Sequence, residues 1–147
     1  MRIAIGSDHA GYELKERMKE HLVSKGWDVL DVGTHSHDSV DYPEFAHQVA
    51  TEVATKGADL GIVICGSGNG VNISANKHKN IRSALAWSPA VAELARQHND
   101  ANVLALPARF IDHEEGIRIV EAFLATTFDG GRHQRRIDKI EVSQAAR

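Results

Sequence analysis

The sequence predicts an α/β protein, a three-layer sandwich in which a five-stranded parallel sheet of Rossmann-like or flavodoxin-like type lies between two layers of helices. Three observations carry this. Five short apolar runs alternate with longer segments of helical period, and those segments open and close on capping residues. The third is size: 147 residues, 42% of them hydrophobic, suffice for the core of one domain and leave little room for a second. A single domain over 1–147 is expected, with about 143–147 as a frayed tail.

The runs are Ile3 to Ile5, Val29 to Val32, Leu60 to Cys65, Ala84 to Trp87 and Val103 to Leu106. Each has the length and apolar character of a strand buried on both faces. After the first, Ala10, Leu14, Met18 and Leu22 recur every four residues and line one helix face, with Gly26 as the stop. Pro43 suits the first turn of a second helix, whose stripe is Ala46, Val49, Ala50, Val53 and Ala54, with Gly57 beyond it. Ser88-Pro89 reads as N-cap and first-turn proline, and Asp112 to Glu115 has the spacing of a capping box. Because each right-handed crossover covers one face of a parallel sheet, this order implies helices on both faces. Ligands in such sheets bind beyond the carboxyl ends of the strands, which makes the loops after strands the place to search.

Composition excludes several classes. A net charge of -3 argues against a dominant nucleic-acid role, which needs a basic surface. Met1 leads directly into a strand, no long apolar run follows, and a soluble cytoplasmic protein without membrane partners is expected. The single cysteine, Cys65, has no disulfide partner. The stretch His35-Ser36-His37-Asp38 lacks a cysteine or an HExxH pattern, so no metal is expected there.

The loop after the third run is Cys65-Gly66-Ser67-Gly68-Asn69-Gly70. Alternating glycines let backbone amides converge into an anion-binding nest at a helix start. A Walker loop is excluded because no Gly-Lys-Ser/Thr follows, the glycines do not space as GxGxxG, and a cysteine-dependent phosphatase would need arginine where Val71 stands. What survives is a thiol at the positive end of a helix, placed to act as base or nucleophile; the ordinary alternative is a buried strand-end cysteine. Asp8 and His9 follow the first run, where Asp8 is either a helix cap or a ligand contact. His98 and Asn99 lie in a polar turn after the fourth helix, and Arg109 just beyond the fifth strand. Arg132 and Arg136, four apart on the last helix, share one face and suit a phosphate clamp or a solvated basic surface. So short a chain invites this final helix to reach a partner subunit.

Together these segments resemble the type B ribose 5-phosphate isomerase family, which includes allose and galactose 6-phosphate isomerases. The likeness spans nearly the whole chain: Ile5-Gly-Ser-Asp-His-Ala-Gly11, Asp41-Tyr-Pro43, the Cys65 loop, Ala75-Asn-Lys77, Arg96 to Asn102, and Gly131 to Arg136. The resemblance implies that Cys65 moves a proton between C2 and C1 through a cis-enediolate whose oxygen is bound by the amides of Gly66, Ser67, Gly68, Asn69 and Gly70. It makes His98 the proton donor in furanose opening, with the hydroxyl of Ser67 assisting. It also makes Asp8, His9, Asn99, Arg109, Arg132 and Arg136 ligand contacts, with no cofactor and no metal. Family members are dimers or tetramers with sites shared across a dimer interface, so a homodimer binding a small sugar phosphate is expected. Many members carry threonine at the position of Ser67, and some use a glutamate at that of Val71; valine cannot titrate, so the cysteine branch applies. Two readings compete: a hexose 6-phosphate substrate with the same chemistry, and a non-enzymatic sugar-phosphate sensor on the same fold.

Overall fold

The computed structural model describes residues 1–142, and the expected tail at 143–147 lies outside them. Its elements run β1 (Arg2–Ser7), α1 (Tyr12–Ser24), β2 (Asp28–Asp31), α2 (Tyr42–Ala54), β3 (Leu60–Cys65), α3 (Asn69–Ala75), β4 (Ser83–Leu85), α4 (Pro89–Asn99), β5 (Val103–Pro107), α5 (His113–Ala125) and α6 (Arg132–Ile137). All five strands pair in parallel in the order β2-β1-β3-β5-β4. The last two strands are exchanged relative to a simple flavodoxin-type order. The chain crosses from β3 past the future place of β5, then doubles back. Handedness follows from this path. The crossovers in one direction put α2 and α3 on one face, and those in the other put α1 and α4 on the opposite face, where α5 joins them.

The period-2 alternation of the strands divides the core accordingly. Ile3, Ile5, Ile62, Ile64, Leu104 and Leu106 meet Leu14, Met18, Leu22, Ile119 and Phe123 on the face of α1 and α5. Ala4, Val63, Val103 and Ala105 meet Val49, Val53 and Val71 on the face of α2 and α3. Each fully buried aliphatic side chain contributes roughly 1.5–3 kcal/mol, which makes this alternation the main determinant of register. The caps behave as expected: the Ser88 hydroxyl accepts from the Val91 amide, and the Asp112 carboxylate accepts from that of Glu115. The fourth run forms a shorter strand than its apolar length suggests. It is an edge strand paired only to β5, and Trp87 at its end is 61% exposed. No helix among the described residues is long and apolar enough to cross a membrane.

One charge lies deep. Lys15 of α1 is wholly buried, and its Nζ sits 2.7 Å from Asp31 Oδ2 at the end of β2. Asp31 Oδ1 accepts from the Gly33 amide at 2.9 Å, and the Gly33 carbonyl accepts from the Ser7 amide at 2.7 Å. The ion pair therefore fixes the loop beside the end of β1. Burial by itself raises the proton affinity of Asp31, but hydrogen bonds from Lys15, Gly33 and Lys19 outweigh it and hold the carboxyl below its ordinary value. A depressed carboxyl stabilises the fold fully above the unfolded-state pKa of about 4 and loses that contribution as pH falls from there through its own lower value in the folded protein. Urea midpoints of the protein and of Asp31→Asn therefore differ at pH 7 and converge as pH drops below about 4. A gap independent of pH contradicts this account of the pair.

Candidate active site

Two reversals of the chain's path open crevices in the sheet, and the first lies between the carboxyl ends of β1 and β3. There the Asp8 amide donates to the Ile64 carbonyl at 3.2 Å and locks the two loops together. The Asp8 carboxylate accepts from the amides of Ala10 and Gly11 at 3.0 and 3.2 Å, so it caps the single 3-10 turn that precedes α1. Next to it, His9 Nδ1 accepts from the Val40 amide at 3.2 Å. In the neutral ring that leaves the proton on Nε2, which becomes the free donor.

Cys65 closes β3 and is 5% exposed. The turn after β5 clamps it from the other side, the Ala108 amide donating to the Cys65 carbonyl at 2.9 Å and the Arg109 amide to that of Gly66 at 3.0 Å. The Arg109 side chain lies across Gly66, where an added Cβ would stand 3.0 Å from Nη1, so the missing side chain lets the guanidinium rest close against the thiol-bearing loop. Beyond it, the Ser67 hydroxyl accepts from the Asn69 amide at 3.2 Å. Asn69 therefore spends its amide within the loop, whereas the amides of Gly66, Ser67, Gly68 and Gly70 have no acceptor among the described residues. Four free N–H groups beside one thiol form a site able to hold developing negative charge.

Gly68 makes the loop possible. It has φ 76, and an added Cβ would lie 2.5 Å from Leu85 Cδ1 and 3.1 Å from the Leu106 backbone. Gly68→Ala is expected to displace the loop and to lower turnover on the order of a hundredfold, the usual cost of misplacing reacting groups by about 1 Å. Steady-state kinetics on a variant shown to be folded by circular dichroism checks this, and turnover within threefold of the parent contradicts it.

The other expected residues are elsewhere. His98 and Asn99 end α4, which runs antiparallel to the strands, so they lie at the amino ends of the sheet, opposite the end that carries Cys65. At about 3.3 Å per residue the two ends are roughly 15–20 Å apart. Arg132 and Arg136 join His98 there because α6 packs on α4, anchored by the Asp129 amide donating to the Gln97 carbonyl at 3.1 Å. Both arginines are exposed, while His133 and Ile137, each one residue further on, turn inward from the neighbouring face of the helix. A cleft of about 780 Å³ beside Asn99 is bordered by Lys77, Lys79, Arg82 and Ile140. A single chain thus brings together Cys65, Gly66, Ser67, Gly68, Asn69, Gly70, Asp8, His9 and Arg109, and separately His98, Asn99, Arg132 and Arg136.

Sequence reasoning passed over His133, whose ring stacks on that of His98 with centroids 4.3 Å apart and planes 14° from parallel. Burial lowers its proton affinity first, and His98, Arg132 and Arg136 lower it further against an opposing pull from Asp129. The signal was the four-residue spacing of His133 and Ile137, an inward-facing pair interleaved with the outward arginines. Tyr42, against whose ring Gly70 packs, was also overlooked as a site residue.

A sequence profile described as Ribose/Galactose Isomerase matches residues 3–140. The chain belongs to this family. It is 45% identical over 146 residues to ribose-5-phosphate isomerase B of Escherichia coli K12, covering 99% of this chain and 98% of the relative. A crystal structure of the Thermotoga maritima ribose 5-phosphate isomerase superposes with TM-score 0.93 at 52% identity, over 95% of this chain and 96% of that one. The Mycoplasma genitalium ribose-5-phosphate isomerase B, crystallised with bound ribulose-5-phosphate, superposes with TM-score 0.92 at 51% identity, over 95% and 93%. For a ribose/galactose isomerase, a thiol followed in the chain by a loop of acceptor-free amides is a chemically apt arrangement, since aldose–ketose interconversion needs one base and one oxyanion site.

Proposed function

We propose that the protein interconverts ribose 5-phosphate and ribulose 5-phosphate through a cis-enediolate, with Cys65 as the base. The observation that carries this is the buried Cys65 thiol beside the acceptor-free amides of Gly66, Ser67, Gly68 and Gly70. The Cys65 thiolate takes the proton from C2 of the aldose, the electron pair moves onto the carbonyl oxygen at C1, and the amides hold the resulting oxyanion. The Cys65 thiol, whose proton exchanges with solvent during the lifetime of the enediolate, then protonates C1, while the proton of the C2 hydroxyl passes to the oxygen at C1 and the carbonyl re-forms at C2. Ribulose-5-phosphate bound to the Mycoplasma relative supports this substrate.

Ring opening and phosphate binding fall to the second group. His98 donates the proton that opens the furanose, with Ser67 assisting. Arg132 and Arg136 pair with the phosphate through guanidinium forks, Arg109 is a third cation suited to it, and Asp8, His9 and Asn99 make further contacts with the ligand. Because Cys65 and His98 occupy opposite ends of one chain, a complete site takes its two halves from two subunits of a homodimer, which is the role foreseen for the final helix. Exposed Ile73, Trp87, Leu94 and Ile140, together with the unpartnered Asn72 Oδ1 and Ser83 Oγ on the flank of α3 and β4, favour a second copy there. The enzyme works in the cytoplasm, on a free sugar phosphate.

The family's description includes galactose, so the pentose assignment is tested by kcat/KM for ribose 5-phosphate against allose and galactose 6-phosphates. The account expects the pentose to lead by at least about tenfold, the discrimination one misfitted carbon gives. A hexose phosphate that matches it overturns the assignment. Binding of every sugar phosphate without turnover of any identifies a sensor instead.

A further inference from the structure

The proposed chemistry gives His98 a proton to donate but gives no part to His133, the ring stacked on it. His133 is 9% exposed, held on the inner face of α6, and its ring covers one face of His98 at a centroid distance of 4.3 Å. Asp129 belongs to the same group: its carboxylate lies within 4.8 Å of a ring nitrogen of both histidines. The backbone fixes this arrangement, since the Asp129 amide donates to the Gln97 carbonyl at 3.1 Å and the His133 amide to the Gly130 carbonyl at 3.2 Å. We infer that His133 is a positioning residue for the proton donor in ring opening: its ring fixes the plane of His98, and the loop that carries Asp129 holds α6 against α4 so that the two rings stay stacked. The inference rests on the proposed isomerase activity and deepens it.

Two imidazolium ions this close repel, so the stack holds one proton in preference to two. The groups facing His133 are His98 from α4, Arg132 and Arg136 from its own helix, and Asp129 from the preceding loop. Three are cationic or able to become so, and burial adds to them, which leaves His133 as the neutral member. A neutral aromatic face is a favourable platform for a cationic ring, and it restricts that ring to rotation in its own plane. At His133 the Asp129 carboxylate opposes the two guanidiniums without reversing the direction. A loss of orientation of His98 therefore affects ring opening and leaves enolisation alone.

The two steps can be read separately. Ribulose 5-phosphate has its C5 oxygen phosphorylated and cannot close to a furanose, so solvent deuterium exchange at its C1 reports Cys65 chemistry without ring opening. Ribose 5-phosphate, mainly a furanose, reports both. For His133→Ala, turnover of ribose 5-phosphate is expected to fall by about tenfold or more while C1 exchange of ribulose 5-phosphate stays within about twofold, since general acid catalysis contributes roughly 10²–10⁴ in rate. His133→Phe retains the stacked face and recovers most of the lost turnover. Proportional loss of turnover and exchange, or no recovery in the phenylalanine variant, overturns the inference. Should His133→Ala not fold, His133→Phe decides it: ribose 5-phosphate turnover near the parent level supports the inference, and a loss on the scale expected of the alanine variant overturns it. Absence of both turnover and exchange in the parent protein refutes the isomerase reading instead.

Discussion

Cys65→Ala yields a folded protein that binds ribose 5-phosphate and turns it over more slowly by a factor of roughly 10³ or more, the scale expected when the sole proton carrier of enolisation is removed. The substitution removes one sulfur at a site 5% exposed and leaves the loop's hydrogen bonds intact, since those of Cys65 and Gly66 run through backbone atoms. Binding rests on the amides and the cationic side chains, so the dissociation constant from titration calorimetry stays within a few-fold while kcat collapses. A variant that keeps turnover within tenfold contradicts the assignment of the base. One that loses binding and turnover together shows that the sulfur shapes the loop.

The second large effect is complementation. Cys65→Ala and His98→Ala are each nearly inactive, but subunits exchanged between them recover activity, because a mixed dimer rebuilds one intact site from the unmutated Cys65 of one chain and the unmutated His98 of the other. With random exchange about half of the dimers are mixed and each carries one working site of two, so recovery approaches one quarter of the parent activity. Light scattering must show the dimer in the same solutions. No recovery after verified exchange contradicts the shared site and requires a single chain to bring the sheet's two ends to one substrate.

Much of the fold was legible because its determinants are local. Each strand stands within a residue or two of an apolar run, and Ser88, Pro89, Asp112 and Pro43 mark helix starts through capping and first-turn chemistry. The exchange of β4 and β5 was not legible, since strand order depends on which long-range pairing buries more surface, and Ala84 and Leu85 do not encode their neighbours. The Cys65 loop was readable from its glycines, which announce both a left-handed turn and free amides. Asp8 shows the limit of such reading: its cap is plain in the structure, and a capping carboxylate with two amides on one oxygen still has a second oxygen to offer a ligand. The separation of His98 from Cys65 follows from parallel topology once α4 is known to return antiparallel, but a search confined to loops after strands does not reveal it. His133 was hidden for a different reason: its partner is a ring face, and stacking leaves no spacing motif beyond an inward pair on a short helix.

The central claim is that Cys65 carries a proton through an enediolate, and the most direct measurement is deuterium incorporation during turnover of ribose 5-phosphate in deuterated water. The account predicts label at C1 of the ribulose 5-phosphate formed by the parent protein, with both product and label lost in Cys65→Ala. Product and label undiminished in Cys65→Ala would contradict it.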